Sequence, residues 1–321
     1  MILITGATGL VGYHLVKEMA SRNLKFKCLK RKSSDTSIFG GLENKIEWIE
    51  ADLLDPLSLI EATKDTQTII HLGAIVSFDK NDKENLINTN IEGTANLVNA
   101  SLENKASRFI HLSSIAALGK NAKSNVINES NKWEENSNEA STYAKSKHLA
   151  ELEVWRAHAE GLNCLVLNPS VILGNHPNGR SSSQLLGYIK RGNRIFPEGQ
   201  LHYVDVSDVI KVILNAIDSE NNGERYIVSA GKVDYAHFFK ACMASIGSTK
   251  NAIIISRPIL KLAYYVESII KTITRQPQKL TKEMTKLSRH SVTYDNSKVK
   301  KDFNISFTSL DKALEKYFKK Y

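Results

Sequence analysis

Tyr143 and Lys147 stand four residues apart in Tyr143-Ala144-Lys145-Ser146-Lys147, on one face of a helix. A nearby ammonium favours phenolate and lowers the pKa of a tyrosine, so such a phenol can protonate a carbonyl oxygen or take a proton from an alcohol. Lys145 is two residues from Tyr143 and faces elsewhere. A second candidate ends the apolar run Phe109-Ile110-His111-Leu112-Ser113-Ser114. Ligands of parallel-sheet folds gather at the carboxyl ends of strands, where a serine hydroxyl can bond a substrate oxygen; serine also commonly caps a turn.

The third constellation is a loop of glycines near the start, Thr5-Gly6-Ala7-Thr8-Gly9-Leu10-Val11-Gly12. It follows an apolar run, Ile2–Thr5, and leads into a helical pattern, Val11–Ala20. Glycine at 6 permits a tight turn, at 9 a close approach of backbone to a pyrophosphate, and at 12 close packing of helix on strand. The free N–H groups and positive dipole end of that helix suit phosphates. Gly6, Thr8, Gly9, Leu10 and Val11 are therefore candidate dinucleotide-binding residues. It is no P-loop, because no Lys-Ser/Thr pair follows. After the second strand comes Lys30-Arg31-Lys32-Ser33-Ser34, with three cations where an acid would hold the ribose 2′-hydroxyl of NAD. Arg31 and Lys32 suit a 2′-phosphate, so the expected cofactor is NADP rather than NAD; a solvated basic turn is the alternative.

These groups need a scaffold, and the pattern supplies one. Short apolar runs at Phe26–Leu29, Ile46–Ile49, Thr68–Leu72, Arg108–Leu112 and Cys164–Leu167 alternate with helical patterns at Pro56–Ala62, Asn85–Glu103 and Glu139–Glu160. Such alternation predicts an α/β fold, a doubly wound parallel (Rossmann) sheet with helices on both faces. The pattern breaks after Pro169, and a smaller, mixed C-terminal substrate lobe is expected. The expected division is 1–170 and 171–321, with some segments crossing between the two. The polar stretch Asn121–Asn138 reads as an exposed insert. His71 and His111, in apolar strand patterns, read as core or cleft-neighbouring residues.

The chain has 321 residues, 42% hydrophobic and 24% charged, which excludes a mainly disordered protein. Its three cysteines, Cys28, Cys164 and Cys242, lie far apart and show no metal-ligand or disulfide spacing. No apolar run reaches the ~18 residues of a membrane span, and no signal peptide is evident, so a cytoplasmic location is expected. The net charge of +9 sits entirely in 257–321, with 15 Lys/Arg against 6 Asp/Glu; the first 256 residues are neutral. A uniformly basic protein would suggest nucleic acid; with the surplus confined to the C-terminal segment no nucleic-acid partner is expected, although that segment would suit a non-catalytic, nucleic-acid-binding relative. Ile259, Leu262, Ala263, Val266, Ile269, Ile270 and Ile273 follow helical spacing, with Lys261, Lys271 and Arg275 on the other side. That stretch reads as a lobe helix, a pocket lining, or a weak peripheral membrane contact with anionic lipid. The sequence is compatible with a monomer or a homodimer.

The glycine spacing, the serine after the fifth strand and the downstream Tyr-x-x-x-Lys, in that order, resemble the extended short-chain dehydrogenase/reductases, the NAD(P)-dependent epimerase/dehydratase family. Further segments agree: Ala51-Asp52-Leu53, His71-Leu72-Gly73-Ala74, Asn90-Ile91-Glu92-Gly93-Thr94, Asn168-Pro169-Ser170-Val171 and Tyr203–Val209. Ser291–Lys298 is similar to the dihydroflavonol reductase-like branch. The resemblance implies that Asp52 and Leu53 flank the adenine and that Leu72, Gly73 and Ala74 line the cofactor cleft. It implies that Asn90 supports the central helix and that Pro169 and Val171 lie near the nicotinamide. It makes Ser114, by its spacing to Gly119, the catalytic serine beside Tyr143 and Lys147, and gives Lys147 the nicotinamide ribose as well. No metal is implied.

Many such relatives act on nucleotide sugars and carry an arginine for the diphosphate before the segment matching Tyr203–Val209. Here Gly199-Gln200-Leu201-His202 has none. The expected activity is therefore reduction of a ketone, or oxidation of a secondary alcohol, on a small and fairly apolar molecule. The alternatives are a nucleotide-sugar epimerase or dehydratase, and a non-catalytic NADP-binding regulator, whose usual mark is loss of the Tyr/Lys pair.

Overall fold

The structure, a computed structural model, describes residues 1–77, 82–119, 125–133, 140–179, 182–256, 258–259 and 292–318. The chain begins with β1 (Ile2–Thr5), α1 (Leu10–Ser21), β2 (Phe26–Lys30), β3 (Glu47–Glu50), α2 (Pro56–Thr63) and β4 (Thr68–His71). It continues through α3 (Lys83–Ile87), α4 (Gly93–Glu103), β5 (Arg108–Leu112), β6 (Val126–Ile127), α5 (Thr142–Ala159) and β7 (Cys164–Pro169). β8 (Val171–Leu173), α6 (Ser183–Lys190), β9 (Ile195–Pro197), β10 (Gln200–Asp205), α7 (Val206–Asp218) and β11 (Glu224–Val228) follow. Last come β12 (Gly231–Asp234), α8 (Tyr235–Ala244), β13 (Ile253–Ile255), β14 (Thr293–Tyr294), α9 (Ser297–Phe303) and α10 (Leu310–Phe318).

Seven strands form one parallel sheet in the order β11-β7-β5-β4-β1-β2-β3. Both faces are covered, which is why its strands read as continuous apolar runs instead of alternating. Leu165 and Leu167 of β7 join the core under α1, α7 and α9, with Leu15, Val16, Val209, Val212, Val299 and Phe303. Cys164 and Val166, of opposite parity, join the core under α2, α4 and α5, with Leu59, Leu97, Val98, Val154 and Ala157. The strand order runs outward in two directions from β1, so a switch point lies between β1 and β4, where open sheets of this kind bind ligands.

β11 and the helix before it return from beyond residue 170 to complete the sheet and its cover. The helical pattern Asn85–Glu103 is broken by a wider π-type turn at Asn88–Glu92, where the hydroxyl of Thr94 donates to the carbonyl of Asn90 at 2.6 Å. The described part of the polar insert is exposed at Asn125, Val126, Ser130 and Lys132 but anchored by packing at other residues. Its β6 pairs with β14, Ile127 is fully buried, and Trp133 stacks on His148 at 4.4 Å. Gly119 explains part of this packing, since a Cβ there would lie 1.6 Å from the carbonyl oxygen of Lys132. In the smaller lobe, β12-β10-β8 form a separate sheet over a core of Leu186, Ile189, Phe196, Phe238 and Leu314. The amphipathic stretch from Ile259 to Arg275 lies outside the described residues except for Ile259, which is exposed. No helix among the described residues is long and apolar enough to cross a membrane.

Candidate functional site

The glycine loop sits at the switch point. Gly6 has a φ of +68°, and a Cβ on it would meet the amide nitrogen of Gly73 at 2.6 Å. A Cβ at Gly12 would stand 2.2 Å from the carbonyl oxygen of Gly6. The loop is closed by the Gly9 amide donating to the Gly6 carbonyl at 2.9 Å. Gly9, the residue before α1, offers no side-chain cap, and the first turn of the helix carries no acid. Its first amides are thus presented without a competing carboxylate, a cradle that fits the diphosphate of a dinucleotide. Thr8 is half-buried at its mouth, while Leu10 and Val11 are buried and anchor the helix to the core.

The loop is tied to the end of β4 by a chain of hydrogen bonds. The Gly73 amide donates to Thr5 Oγ1 at 3.2 Å, leaving the Thr5 hydroxyl to donate to His71 Nδ1 at 2.7 Å. Because the Thr94 hydroxyl is spent on Asn90, its oxygen accepts from His71 Nε2–H at 3.0 Å. This network assigns His71 the neutral Nε2–H tautomer. Burial, with repulsion from Lys147, pushes its pKa down to about 3. Asn90 pairs with the backbone of Ile75 in both directions, accepting at 2.8 Å and donating at 3.0 Å, and also donates to Ser146 on α5 at 3.0 Å. One carboxamide thereby holds the segment after β4 against the central helix. Leu72 is half-buried and Ala74 exposed beside Gly73, and Leu53 lies buried beneath it. The Asp52 carboxylate accepts from the Leu54 amide at 2.9 Å.

Ser114, Tyr143 and Lys147 converge at the end of β5. The Ser141 hydroxyl caps α5 by accepting from the Ala144 amide at 3.1 Å. Lys147 Nζ donates to the Leu112 carbonyl at 2.8 Å, and burial lowers its pKa to about 8 against the raising influence of Glu151. Tyr143 is in hydrogen-bond contact with Ser114. The sequence leads one to expect a phenol pulled down by lysine; instead burial dominates and holds Tyr143 above its ordinary value, with Ser114 pulling the other way. At neutral pH the phenol keeps its proton. Ser114 also accepts from the Ala116 amide at 3.2 Å, so its capping and site-facing uses coexist. Ser113 is buried and makes no contact of this kind with Tyr143; its hydroxyl has no partner among the described residues. Lys145 is exposed.

Pro169 ends β7 of the large sheet, and half-buried Val171, two residues on, begins β8 of the small one. Arg31 and Lys32 are exposed on a turn closed by the Ser34 amide donating to the Arg31 carbonyl at 2.9 Å. That turn follows β2, the neighbour of β1, and both side chains face solvent beside the glycine loop's strand. The nearest following acid, Asp35, is engaged by Ser37 and Asn178.

Three residues beside this cluster had no role in the sequence reading: Glu151, Arg225 and Asn168, the last quoted there only as part of a family segment. Glu151 accepts from Asn168 Nδ2 at 2.6 Å and pairs with Arg225. Asn168 also donates to the Ser114 carbonyl at 2.9 Å. Glu151 was visible as the acid one turn beyond Lys147; nothing local marks Arg225. Among the described residues no group of three His, Cys, Asp or Glu side chains is placed to hold a metal. The cysteines are buried and unbridged.

The model of the NAD dependent epimerase/dehydratase family matches residues 2–230. The chain is 30% identical over 232 residues to sterol demethylase protein B of Methylococcus capsulatus, covering 71% of this chain and 69% of the relative. It is 26% identical over 324 residues to a Synechocystis sp. protein named for dihydroflavonol 4-reductase, covering 97% and 91%. The crystal structure of gox2253 superimposes with a TM-score of 0.81 at 26% identity, covering 98% of this chain and 96% of that one.

Proposed function

The chain belongs to the NAD-dependent epimerase/dehydratase family, and from that premise we propose that it is an NADP-dependent oxidoreductase acting on a ketone or secondary alcohol of a small, fairly apolar molecule. The observation that carries this reading is the contact between the Ser114 and Tyr143 hydroxyls beside the buried ammonium of Lys147. A bound nicotinamide supplies or accepts the hydride.

In the reductive direction Tyr143, kept protonated by burial, gives its proton to the carbonyl oxygen as charge develops there. Ser114 hydrogen-bonds the same oxygen, a contact that strengthens as negative charge builds. Lys147 holds the nicotinamide ribose and, as a cation one helical turn away, eases formation of the phenolate left behind. The uncapped turn at Gly9 receives the diphosphate, and Arg31 with Lys32 receives a 2′-phosphate.

The apolar, non-nucleotide character of the substrate is supported by the missing arginine before Tyr203. In the structure that stretch is β10, where His202 Nε2 is bonded to the Val292 carbonyl at 3.0 Å. The name of the Synechocystis relative points the same way. The test is NADPH oxidation against a panel of ketones, beside UDP- and dTDP-sugars. Turnover of ketones alone supports the reading; turnover of the sugars alone overturns it.

A further inference from the structure

The carboxylate of Glu151 is completely buried, one helical turn beyond Lys147. A lone buried carboxylate is costly, and here both its oxygens are engaged. Oε1 accepts from Asn168, and Oε2 pairs with the guanidinium of Arg225. Arg225 belongs to β11, the edge strand contributed by the second half of the chain. Its guanidinium lies over the ring of Trp155 at 5.6 Å, and its side chain is 18% exposed. On that outer side it lines a groove of about 600 Å³ with Glu224 and Lys298.

The groups that face Lys147 come from four elements. α5 contributes Tyr143 and Glu151, β4 contributes His71, β5 contributes His111, and β11 contributes Arg225 through Glu151. Both histidines are buried and neutral, and Tyr143 is protonated. Glu151 is therefore the one anion acting on Lys147 among the described residues, and it is shared with a second cation.

We propose that Arg225 is a positioning residue that sets the charge on Lys147 by offsetting, through its ion pair, the field of the Glu151 carboxylate one helical turn away. The same carboxylate reaches Ser114 through Asn168, so the edge strand is coupled to both ends of the Ser/Tyr/Lys cluster. The charge relationship stands on the buried Glu151–Arg225 pair and on the one-turn spacing of Glu151 from the buried Lys147 on α5; its consequence for turnover rests on the oxidoreductase reading.

The physics gives opposite signs for the two partners. Without Arg225, the whole charge of Glu151 falls on Lys147 and the ammonium holds its proton more tightly. Without Glu151, two cations face each other across a dry space and Lys147 loses its proton more easily. General loosening of the fold moves both variants in one direction.

The experiment follows the ¹³Cε shift of Lys147 against pH in the full chain labelled with ¹³C-lysine, assigned with Lys147→Arg and recorded without cofactor. Arg225→Met is expected to raise the midpoint and Glu151→Gln to lower it, each by about one pH unit, a tenfold change in proton affinity. The double variant returns close to the parent. Arg225→Lys keeps the charge and leaves the midpoint near the parent value, which guards against a methionine variant that folds poorly. In Arg225→Ala, millimolar guanidinium entering the groove restores the midpoint, and sodium at equal ionic strength does not. Shifts of the same sign in both single variants, or none, overturn the proposal, as does a lysine variant that moves as far as methionine. NADPH oxidation profiles shift in the same directions; a parent protein that turns over no ketone defeats the oxidoreductase reading while the titration result stands.

Discussion

The ammonium of Lys147 crosses from α5 to the carbonyl oxygen of Leu112 at 2.8 Å, two residues before Ser114. This bond seats the helix over the end of β5. Tyr143, one turn earlier on the same face, is thereby delivered to Ser114. The register of three proposed catalytic side chains thus depends on a lysine–backbone contact as much as on their own chemistry.

Removing the Tyr143 hydroxyl while keeping the ring tests the proton donor. Tyr143→Phe is expected to lower single-turnover NADPH oxidation by ~10²–10⁴-fold, the usual worth of a positioned acid. NADPH affinity, read by fluorescence, is retained, because the aromatic ring of this expected catalytic and cofactor-binding residue stays in place. Ser114→Ala lowers turnover less, and Lys147→Met damages both measurements. A Tyr143→Phe protein with near-normal turnover returns the chain to a non-catalytic reading.

The proposed preference for NADP can be tested at the exposed turn after β2. Arg31→Ala is expected to weaken NADPH by about 1.5–3 kcal/mol, the value of a charge-assisted hydrogen bond, while NADH affinity stays unchanged. Titration of both cofactors against parent and variant decides this. Equal affinities in the parent remove the role of Arg31.

Backbone packing around the glycine loop predicts a stability effect that can be separated from binding. A methyl group at Gly12 meets the Gly6 carbonyl, which is main chain and cannot swing away. Gly12→Ala is expected to cost roughly 1–3 kcal/mol in urea unfolding, as for other overpacked positions. Gly41→Ala, where a Cβ meets nothing within 4 Å, serves as the control and stays within about 0.5 kcal/mol.

The sheet and the cluster were legible from sequence to different depths. Apolar runs and glycine spacing are local signals, so β1, α1 and the first six strands of the sheet emerge from periodicity alone. β11 does not, because Glu224-Arg225-Tyr226-Ile227-Val228 opens with two charges that are paired with residues distant in the chain. The same reason hid the Arg225–Glu151 pair: its partners are 74 residues apart and meet only through tertiary structure. The π-type turn at Asn88–Glu92 was hidden by side-chain hydrogen bonds, to which hydrophobic periodicity is blind. Tyr143 shows the complementary limit, since spacing identifies the phenol and its lysine but burial sets its proton affinity.

The basic surplus of residues 257–321 is a property of sequence, and it motivates weak binding to anionic surfaces. Sedimentation with anionic vesicles is expected at low salt and is lost as salt screens the attraction, with neutral vesicles as the control. Failure to pellet at low salt leaves a solvated basic face.

His71 supplies a pH test of the buried network. Its folded-state pKa of about 3 lies below the ordinary histidine value of 6.5, so below pH 6.5 the unfolded chain binds a proton that the folded chain refuses. Stability is therefore fully present above that value and falls as pH drops toward 3, by at most about 1.4 kcal/mol per pH unit for one such group. His111 is held neutral for the same reason, burial beside Lys147, and adds a slope of the same sign. Urea unfolding from pH 7 to pH 5 is expected to show the combined loss. His71→Asn removes one of the two titrating rings while keeping hydrogen-bonding capacity between Thr5 and Thr94. It is expected to lower stability at pH 7 and to flatten the acid slope. Parallel curves for parent and variant mean that His71 does not stay neutral in the folded protein, and the tautomer assigned from Thr5 and Thr94 then fails with it.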